Sequence, residues 1–203
     1  NISDELLLIE DKYHFGDLSV ISHVLFLPEI ESLEQIFRAL GEEYENSPVI
    51  VGIAQAGVAK RPRELITYAL GSCVSICLFD RKNYIAGMAH ILLPHQEDAI
   101  DRQNPYKFAD RGCEELLRAM TACGAGREYI TAKLAGGARM FTTSNTSEGI
   151  GARNVTAVRE ELKLLGIRII AEDTGKDYGR TVILNSETGE VTVKSVRYGI
   201  YVI

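Results

Sequence analysis

The segment Thr67-Tyr-Ala-Leu-Gly-Ser-Cys73 decides how this chain folds. It ends one apolar-alternating run, and a second apolar run, Val74 to Phe79, follows it directly. A polar break, Asp80-Arg-Lys-Asn83, separates the second run from a third, Tyr84 to Leu93, which carries His90. Two apolar runs of this length around a short polar break predict the antiparallel strands of a hairpin.

The length of the turn determines which residues of the hairpin face each other. A four-residue loop pairs Phe79 with Tyr84, and it is favoured over a two-residue loop because Arg-Lys is a poor type I′ pair. With either loop, Cys73 is predicted directly opposite His90, with Cβ atoms about 5 Å apart. A three-residue loop would put the two side chains on opposite faces, and a bulge at Gly87 would also change the pairing.

A thiol opposite an imidazole suits nucleophilic catalysis, in which the histidine activates the cysteine. Gly71 and Ser72 precede Cys73, and their backbone N–H groups could bind an oxyanion. No helix begins at Cys73, so an imidazolium at His90 is predicted to lower the pKa of the thiol. Thr67 could orient the imidazole as a third member. The alternatives stay open: Cys73 as a small buried hydrophobe, His90 as a structural histidine and Thr67 as an ordinary strand residue.

The chain divides by charge into an acidic start and a weakly basic body. Residues 1–48 carry 11 acidic and 2 basic side chains, whereas residues 49–203 carry 17 acidic and 20 basic ones. Two domains are therefore predicted, and the first is a strand–strand–helix segment with a linker that is too small to bury a core alone. Neither domain has the dense basic stripe of a nucleic-acid-binding protein.

Several kinds of site are not expected. No apolar run suits a membrane helix and no signal segment opens the chain, so a cytoplasmic protein without membrane insertion is predicted. The four cysteines have no ligand spacing with the four histidines, so reduced thiols and no metal are expected. Gly136-Gly-Ala138 and Gly149 to Asn154 lack the common nucleotide-binding patterns. These glycines are predicted to let loops pack beside the hairpin, and no cofactor is expected.

The body combines strands with two amphipathic helices, which are predicted from Phe108 to Cys123 and from Val155 to Leu165. This mixture predicts an α/β (α+β) layered sandwich, with one mixed, largely antiparallel sheet and the helices packed on it. A Ser/Thr/Asn-rich loop is expected over residues 142–151. Asp173 and Arg180 are interpreted as a surface ion pair.

Six short motifs in the body occur with the order and spacing of one family. They are Leu70-Gly-Ser-Cys-Val74, Gly87-Met-Ala-His90 with Leu93-Pro94, Phe108-Ala-Asp110, Gly136-Gly-Ala138 with Met140-Phe141, Ile150-Gly-Ala-Arg-Asn154, and Asp173-Thr-Gly175 with Gly179-Arg180. Over roughly residues 50–200 the chain resembles CheD, the chemoreceptor glutamine deamidases.

The resemblance to CheD implies a function and a set of site residues. The expected reaction is hydrolysis of glutamine side-chain amides in the cytoplasmic domain of chemoreceptors to glutamate, through a cysteine thioester. The family's Cys–His–Thr triad maps onto Cys73, His90 and Thr67, with backbone support from Gly71 and Ser72. The implied fold is a layered sandwich like that of deamidase toxins.

Residues 1–48 resemble the C-terminal strand–strand–helix of CheC, a phosphatase that partners CheD, although they lack its phosphatase signature. A fragment of a CheC–CheD fusion is therefore expected, with a CheC-type phosphatase as partner and a possible homodimer through residues 1–48. Two other functions remain open from the sequence. The body could be a docking module for CheC or a receptor with little or no catalysis, or it could be another cysteine hydrolase, such as a peptidase or esterase.

Overall fold

The computed structural model describes residues 47–140 and 149–203, without the side chain of Asp98. The predicted strand–strand–helix of residues 1–46 lies outside these residues, as does most of the predicted loop 142–151. The division of the chain into domains 1–48 and 49–203 therefore stays a prediction.

Ten strands in the described part form two five-stranded sheets. The first, called the outer sheet, has the order β1 (Val49–Ile50), β3 (Glu64–Leu70), β8 (Arg180–Asn185), β9 (Val191–Ser195) and β10 (Gly199–Val202). The second, called the middle sheet, has the order β2 (Ala56–Lys60), β5 (Ile85–Ile91), β4 (Val74–Asp80), β6 (Ile130–Gly136) and β7 (Arg168–Thr174). All neighbours are antiparallel except β1 with β3 and β6 with β7.

Two helices, α1 (Ala109–Ala122) and α2 (Ile150–Leu164), complete a three-layer arrangement. One hydrophobic core joins both helices to the middle sheet, and a second core lies between the two sheets. The predicted layered α/β sandwich with mixed, largely antiparallel strands is confirmed. None of the described helices has the length and apolar character needed to cross a membrane.

The expectation of a single sheet is wrong, because the chain changes sheets four times: between β1 and β2, β2 and β3, β3 and β4, and β7 and β8. The first of these changes comes directly after β1, which ends at Ile50. The chain turns there, with Ala54 at φ 57°, and enters the middle sheet as β2. Residues 71–73 then carry the chain from β3 of the outer sheet to β4 of the middle sheet. We call residues 71–73 the crossover loop. Its position places Cys73 where the two sheets meet.

The β4–β5 hairpin has a four-residue loop, as predicted, but the loop is residues 81–84 rather than 80–83. Asp80 pairs with Ile85, so Ser75, and not Cys73, lies directly opposite His90. The reason is the buried Asp80 carboxylate, which accepts hydrogen bonds from the backbone N–H groups of Lys82 and Asn83 and keeps Asp80 in the strand. The even loop length preserves the predicted face, and the register differs by two residues.

Gly87 hosts no bulge, since the β4–β5 ladder runs without interruption through it. Its role is to let α1 approach the middle sheet. A Cβ atom at Gly87 would lie 2.5 Å from the sulfur of Met120 and 3.1 Å from Leu116 Cδ1. The glycine therefore permits close helix-to-sheet packing at the strand that carries His90.

Helix α2 begins at Ile150, five residues before the predicted start. Gly149 and Gly151 fall in the Ser/Thr/Asn-rich stretch predicted as a loop, and glycine by itself is a poor helix former. Tertiary packing overrides that preference here. A Cβ atom at Gly151 would lie 2.5 Å from the carbonyl oxygen of Gly137. The first turn of α2 is therefore pressed against the segment that follows β6.

The interpretation of Asp173 and Arg180 as a surface pair is wrong. Asp173 is 5 % exposed and Arg180 2 % exposed. Arg180 Nε donates to the Asp173 carboxylate at 2.7 Å, and hydrogen bonds from Lys176 and Tyr201 reach the same carboxylate. Burial raises the pKa of Asp173, but these hydrogen bonds together hold it well below its usual range. The ion pair is a buried connection between the end of β7 and strands β8 and β10.

Candidate active site

Thr67 and His90 meet in the interior between the two sheets. The Thr67 hydroxyl oxygen lies 2.7 Å from His90 Nδ1, and both residues are fully buried. Thr67 belongs to β3 of the outer sheet and His90 to β5 of the middle sheet. The hydrogen bond therefore spans the sandwich, and the structure brings together two residues that the sequence analysis selected.

Cys73 lies at the end of the crossover loop, on the face of the middle sheet that carries His90. It is 7 % exposed and packs in the core between the sheets. It precedes Ser75, the residue opposite His90, by two positions. A diagonal neighbour of this kind has its Cα atom about 7–8 Å away. Cys73 and His90 thus share a face but are not directly opposite as predicted.

The other ring nitrogen of His90 has no partner within the described residues. Nε2 is buried and makes no hydrogen bond, although Nδ1 is bound to Thr67. A buried nitrogen without a hydrogen-bond partner lowers the stability of the folded protein, because it has lost its hydrogen bonds to water. Such an atom in a native structure calls for an explanation, and a catalytic role is one.

Each of the three backbone carbonyl groups of the crossover loop accepts a hydrogen bond from the segment after β6 or from α2. The N–H groups of Gly137 and Ala138 donate to the carbonyls of Cys73 at 2.7 Å and Gly71 at 2.8 Å, and the Asn154 side chain donates to that of Ser72 at 3.0 Å. The N–H groups of residues 71–73 make no backbone hydrogen bond to another described residue. This arrangement fits the predicted use of these N–H groups for an oxyanion.

The glycines at positions 136 and 137 make this close approach possible. A Cβ atom at Gly136 would lie 2.2 Å from the Cys73 carbonyl oxygen, and one at Gly137 would lie 2.2 Å from a methyl of Val155. Both residues also have positive φ, at 109° and 67°. The prediction that these glycines let loops pack beside the hairpin is confirmed.

Sequence reasoning missed two polar residues at this site, Ser75 and Asn154, and both are fully buried. Ser75 faces His90 across the ladder, and its hydroxyl lies 3.6 Å from the sulfur of Cys77. Asn154 offers a signal that was available in the sequence. It falls at helical spacing on the same stripe of α2 as Val158 and Leu162, where an apolar residue is expected.

The electrostatics favour a neutral thiol and a neutral imidazole. Burial raises the pKa of the Cys73 thiol, and a hydrogen bond from its own backbone N–H only partly opposes this. Burial lowers the pKa of His90 to about 4. The expectation that an imidazolium lowers the pKa of the thiol is therefore wrong for the resting protein.

This charge state predicts the pH dependence of Cys73 alkylation. A thiol with a raised pKa holds less than about 1 % thiolate at pH 7, so the iodoacetamide rate should keep rising with pH to above 9. The exposed Cys123 should be replaced by serine so that alkylation reports on Cys73. A plateau already reached near pH 6 would show a thiolate–imidazolium pair and contradict the neutral pair.

The described residues include no group of three His, Cys, Asp or Glu side chains that could hold a metal ion. His95 lies 4.0 Å from Asp110 at the surface, without a third such group.

Comparison with known proteins identifies close relatives. The family model described as CheD chemotactic sensory transduction matches residues 92–195. A protein of Caldanaerobacter subterraneus named probable chemoreceptor glutamine deamidase CheD is 46 % identical over 77 % of this chain and 98 % of its own length. A Methanosarcina acetivorans protein named probable chemoreceptor glutamine deamidase CheD 1 is 43 % identical over 74 % of this chain and 94 % of its own.

One solved structure that matches is the crystal structure of a Neisseria meningitidis protein of the DUF152 family. It is 12 % identical in sequence, has a TM-score of 0.43, and is matched over 72 % of this chain and 71 % of that one.

Proposed function

This chain belongs to the CheD family and is a chemoreceptor glutamine deamidase, and we propose that it works through a thioester on Cys73. The observation that carries the mechanism is the His90 imidazole, which is bound to Thr67 through Nδ1 and has a buried, unpartnered Nε2 on the face that carries Cys73. The reaction converts the side-chain carboxamide of a receptor glutamine into a carboxylate and releases ammonia. The protein is proposed to act on the cytoplasmic part of the receptor.

Thr67 supports the base function of His90. With the ring proton on Nδ1, the imidazole donates to the Thr67 hydroxyl and Nε2 keeps its lone pair. This is the orienting role that a carboxylate or amide has in other triads. Because burial disfavours the imidazolium, Nε2 is unprotonated at neutral pH and ready to accept a proton.

Acylation begins when the sulfur of Cys73 attacks the carboxamide carbon and its proton moves to His90 Nε2. The carbonyl oxygen becomes an oxyanion, which the N–H groups of residues 71–73 stabilise. The imidazolium then returns the proton to the nitrogen as the C–N bond breaks, and ammonia leaves. The product of this half is a thioester between Cys73 and the glutamyl side chain.

Deacylation repeats these roles with water. His90 takes a proton from the water molecule that attacks the thioester carbon, and the oxyanion forms again in the same place. The C–S bond breaks and the thiolate recovers the proton from His90. The product leaves as the carboxylic acid of glutamate, which releases its remaining proton to solvent and becomes the carboxylate. The thiol and the imidazole end as they began.

A partition experiment with hydroxylamine tests the thioester. The protein is incubated with a purified cytoplasmic chemoreceptor fragment, with and without hydroxylamine, and the receptor peptides are analysed by mass spectrometry. A thioester should transfer its acyl group to hydroxylamine, so glutamyl hydroxamate should appear beside glutamate at the same positions. A Cys77→Ala variant provides the matched control. Glutamate formation with no hydroxamate at any hydroxylamine concentration would contradict the covalent route.

Two predictions about partners remain proposals. They are binding to a CheC-type phosphatase and formation of a homodimer through residues 1–48. Residues 1–46 of that segment lie outside the described part of the chain. The names of the relatives support the glutamine amide as the bond hydrolysed, in preference to the peptide or ester bond of another cysteine hydrolase.

A further inference from the structure

The geometry points to Asn154 as a positioning residue of the active site, which sets the distance between the crossover loop and the strand that carries His90. This inference deepens the proposed function and rests on it. Asn154 does not touch the reacting atoms in the proposed mechanism. It acts through the backbone on both sides of the Cys73–His90 pair.

One side-chain nitrogen of Asn154 makes both connections. Asn154 Nδ2 donates to the carbonyl of Ser72 at 3.0 Å and to the carbonyl of Leu92 at 3.0 Å. Ser72 immediately precedes Cys73, and Leu92 follows His90 by two residues. The two hydrogens of the planar amide therefore link the crossover loop and the end of β5, the strand that carries His90, to one nitrogen atom.

The surroundings of Asn154 are closely packed. The residue is fully buried, and its helix is held against the segment after β6 by the contacts of Gly137 and Gly151. The backbone N–H groups of Gly137 and Ala138 hold the other two carbonyls of the crossover loop. The N–H groups of Gly71 and Ser72 make no hydrogen bond to another described backbone group and are left for an oxyanion.

Asn154 also has an unsatisfied acceptor. Its Oδ1 is buried and has no hydrogen-bond partner in the described residues. An asparagine that served packing alone would be replaced at no cost by an apolar side chain, since an unpaired buried carbonyl costs about 1–3 kcal/mol. The two hydrogen bonds from the NH₂ group explain why an asparagine stands here although its Oδ1 is buried without a partner.

Asn154→Asp is the sharpest test, because it keeps the shape and replaces the double donor with an acceptor that repels both carbonyls. We expect kcat for receptor deamidation to fall about 100-fold, the loss expected from displacing a reacting group by about 1 Å, with KM changed less than twofold. The alkylation rate of Cys73 by iodoacetamide needs no oxyanion site and should stay within about threefold of wild type. Asn185→Asp is the matched control, because Asn185 caps the β8–β9 turn through its oxygen, which aspartate retains.

A second variant covers the case in which Asn154→Asp does not fold, as judged by circular dichroism. In Asn154→Ser the hydroxyl can serve one carbonyl only, and kcat should fall about tenfold with KM unchanged. Wild-type kcat in a folded variant would overturn the inference, as would parallel changes in KM, Cys73 alkylation and stability, which would indicate a structural role only. An active Cys73→Ala protein would instead overturn the proposed function, so the two failures can be told apart.

Discussion

Replacing Cys73 by alanine should abolish receptor deamidation, with a loss in kcat of at least about 10³-fold. The reason is that the thiol supplies the bond that carries the acyl group. The variant should bind the receptor fragment as wild type does and keep its stability, since alanine removes one small sulfur atom. Mass spectrometry of the receptor peptides measures the conversion of glutamine to glutamate.

The matched control is Cys77→Ala. Cys77 lies in β4, four residues after Cys73 and on the same face, and is also buried, but burial raises the pKa of its thiol to about 12. Its replacement should leave the rate within about twofold of wild type, because the mechanism gives it no role. Equal activity of the Cys73→Ala protein and wild type would remove Cys73 from the mechanism.

His90→Ala belongs to the same prediction, because the two side chains work as one unit. Loss of the base should cost about 10²–10⁴-fold in kcat. The double variant Cys73→Ala/His90→Ala should be no worse than Cys73→Ala alone, since effects within such a unit are not additive. Additive losses would indicate that His90 acts on a step that does not involve Cys73.

Replacing Arg180 by methionine should lower the free energy of unfolding by about 3–5 kcal/mol. Arg180 and Asp173 are buried with their carboxylate–guanidinium contact at 2.7 Å, so removal of the cation leaves a buried carboxylate without its main partner. The melting temperature should fall by roughly 6–20 °C for a chain of this size. Urea unfolding followed by circular dichroism measures the change.

An exposed pair in the same region provides the control. Arg197 donates to Asp177 at 2.7 Å, but their side chains are 58 % and 61 % exposed. Arg197→Met should therefore cost less than about 1 kcal/mol. A loss for Arg180→Met as small as that for Arg197→Met would show that the buried pair contributes little.

The loss of stability in Arg180→Met should depend on pH, because it requires the Asp173 carboxyl to be ionised. The pKa of this carboxyl is lower in the folded protein than in the unfolded chain, so its contribution is fully present above the unfolded pKa. It is lost as the pH falls through the lower, folded value. The difference in stability between wild type and Arg180→Met should therefore be full at pH 7 and shrink below about pH 4.

The sequence predicted correctly which residues share a face of the hairpin, but not which residues lie directly opposite each other. The alternation of apolar residues and the even loop length placed Cys73 and His90 on one face correctly. The predicted register was wrong by two residues, because the Asp80 side chain caps the turn and holds Asp80 in the strand. The same sequence is compatible with several positions of the turn, and whether the Asp80 side chain binds the turn's N–H groups is settled only in the folded hairpin.

The sequence by itself determined the two helices and the layered sandwich through local periodicity, and its motifs selected Cys73, His90 and Thr67 as candidate site residues. Tertiary structure alone decided that there are two sheets, that Thr67 reaches His90 across them, and that Arg180 is buried. It also decided the place of Asn154, whose bond to Ser72 joins positions 82 residues apart in the chain. Contacts over such separations depend on how whole layers pack, and no local pattern of residues encodes that packing.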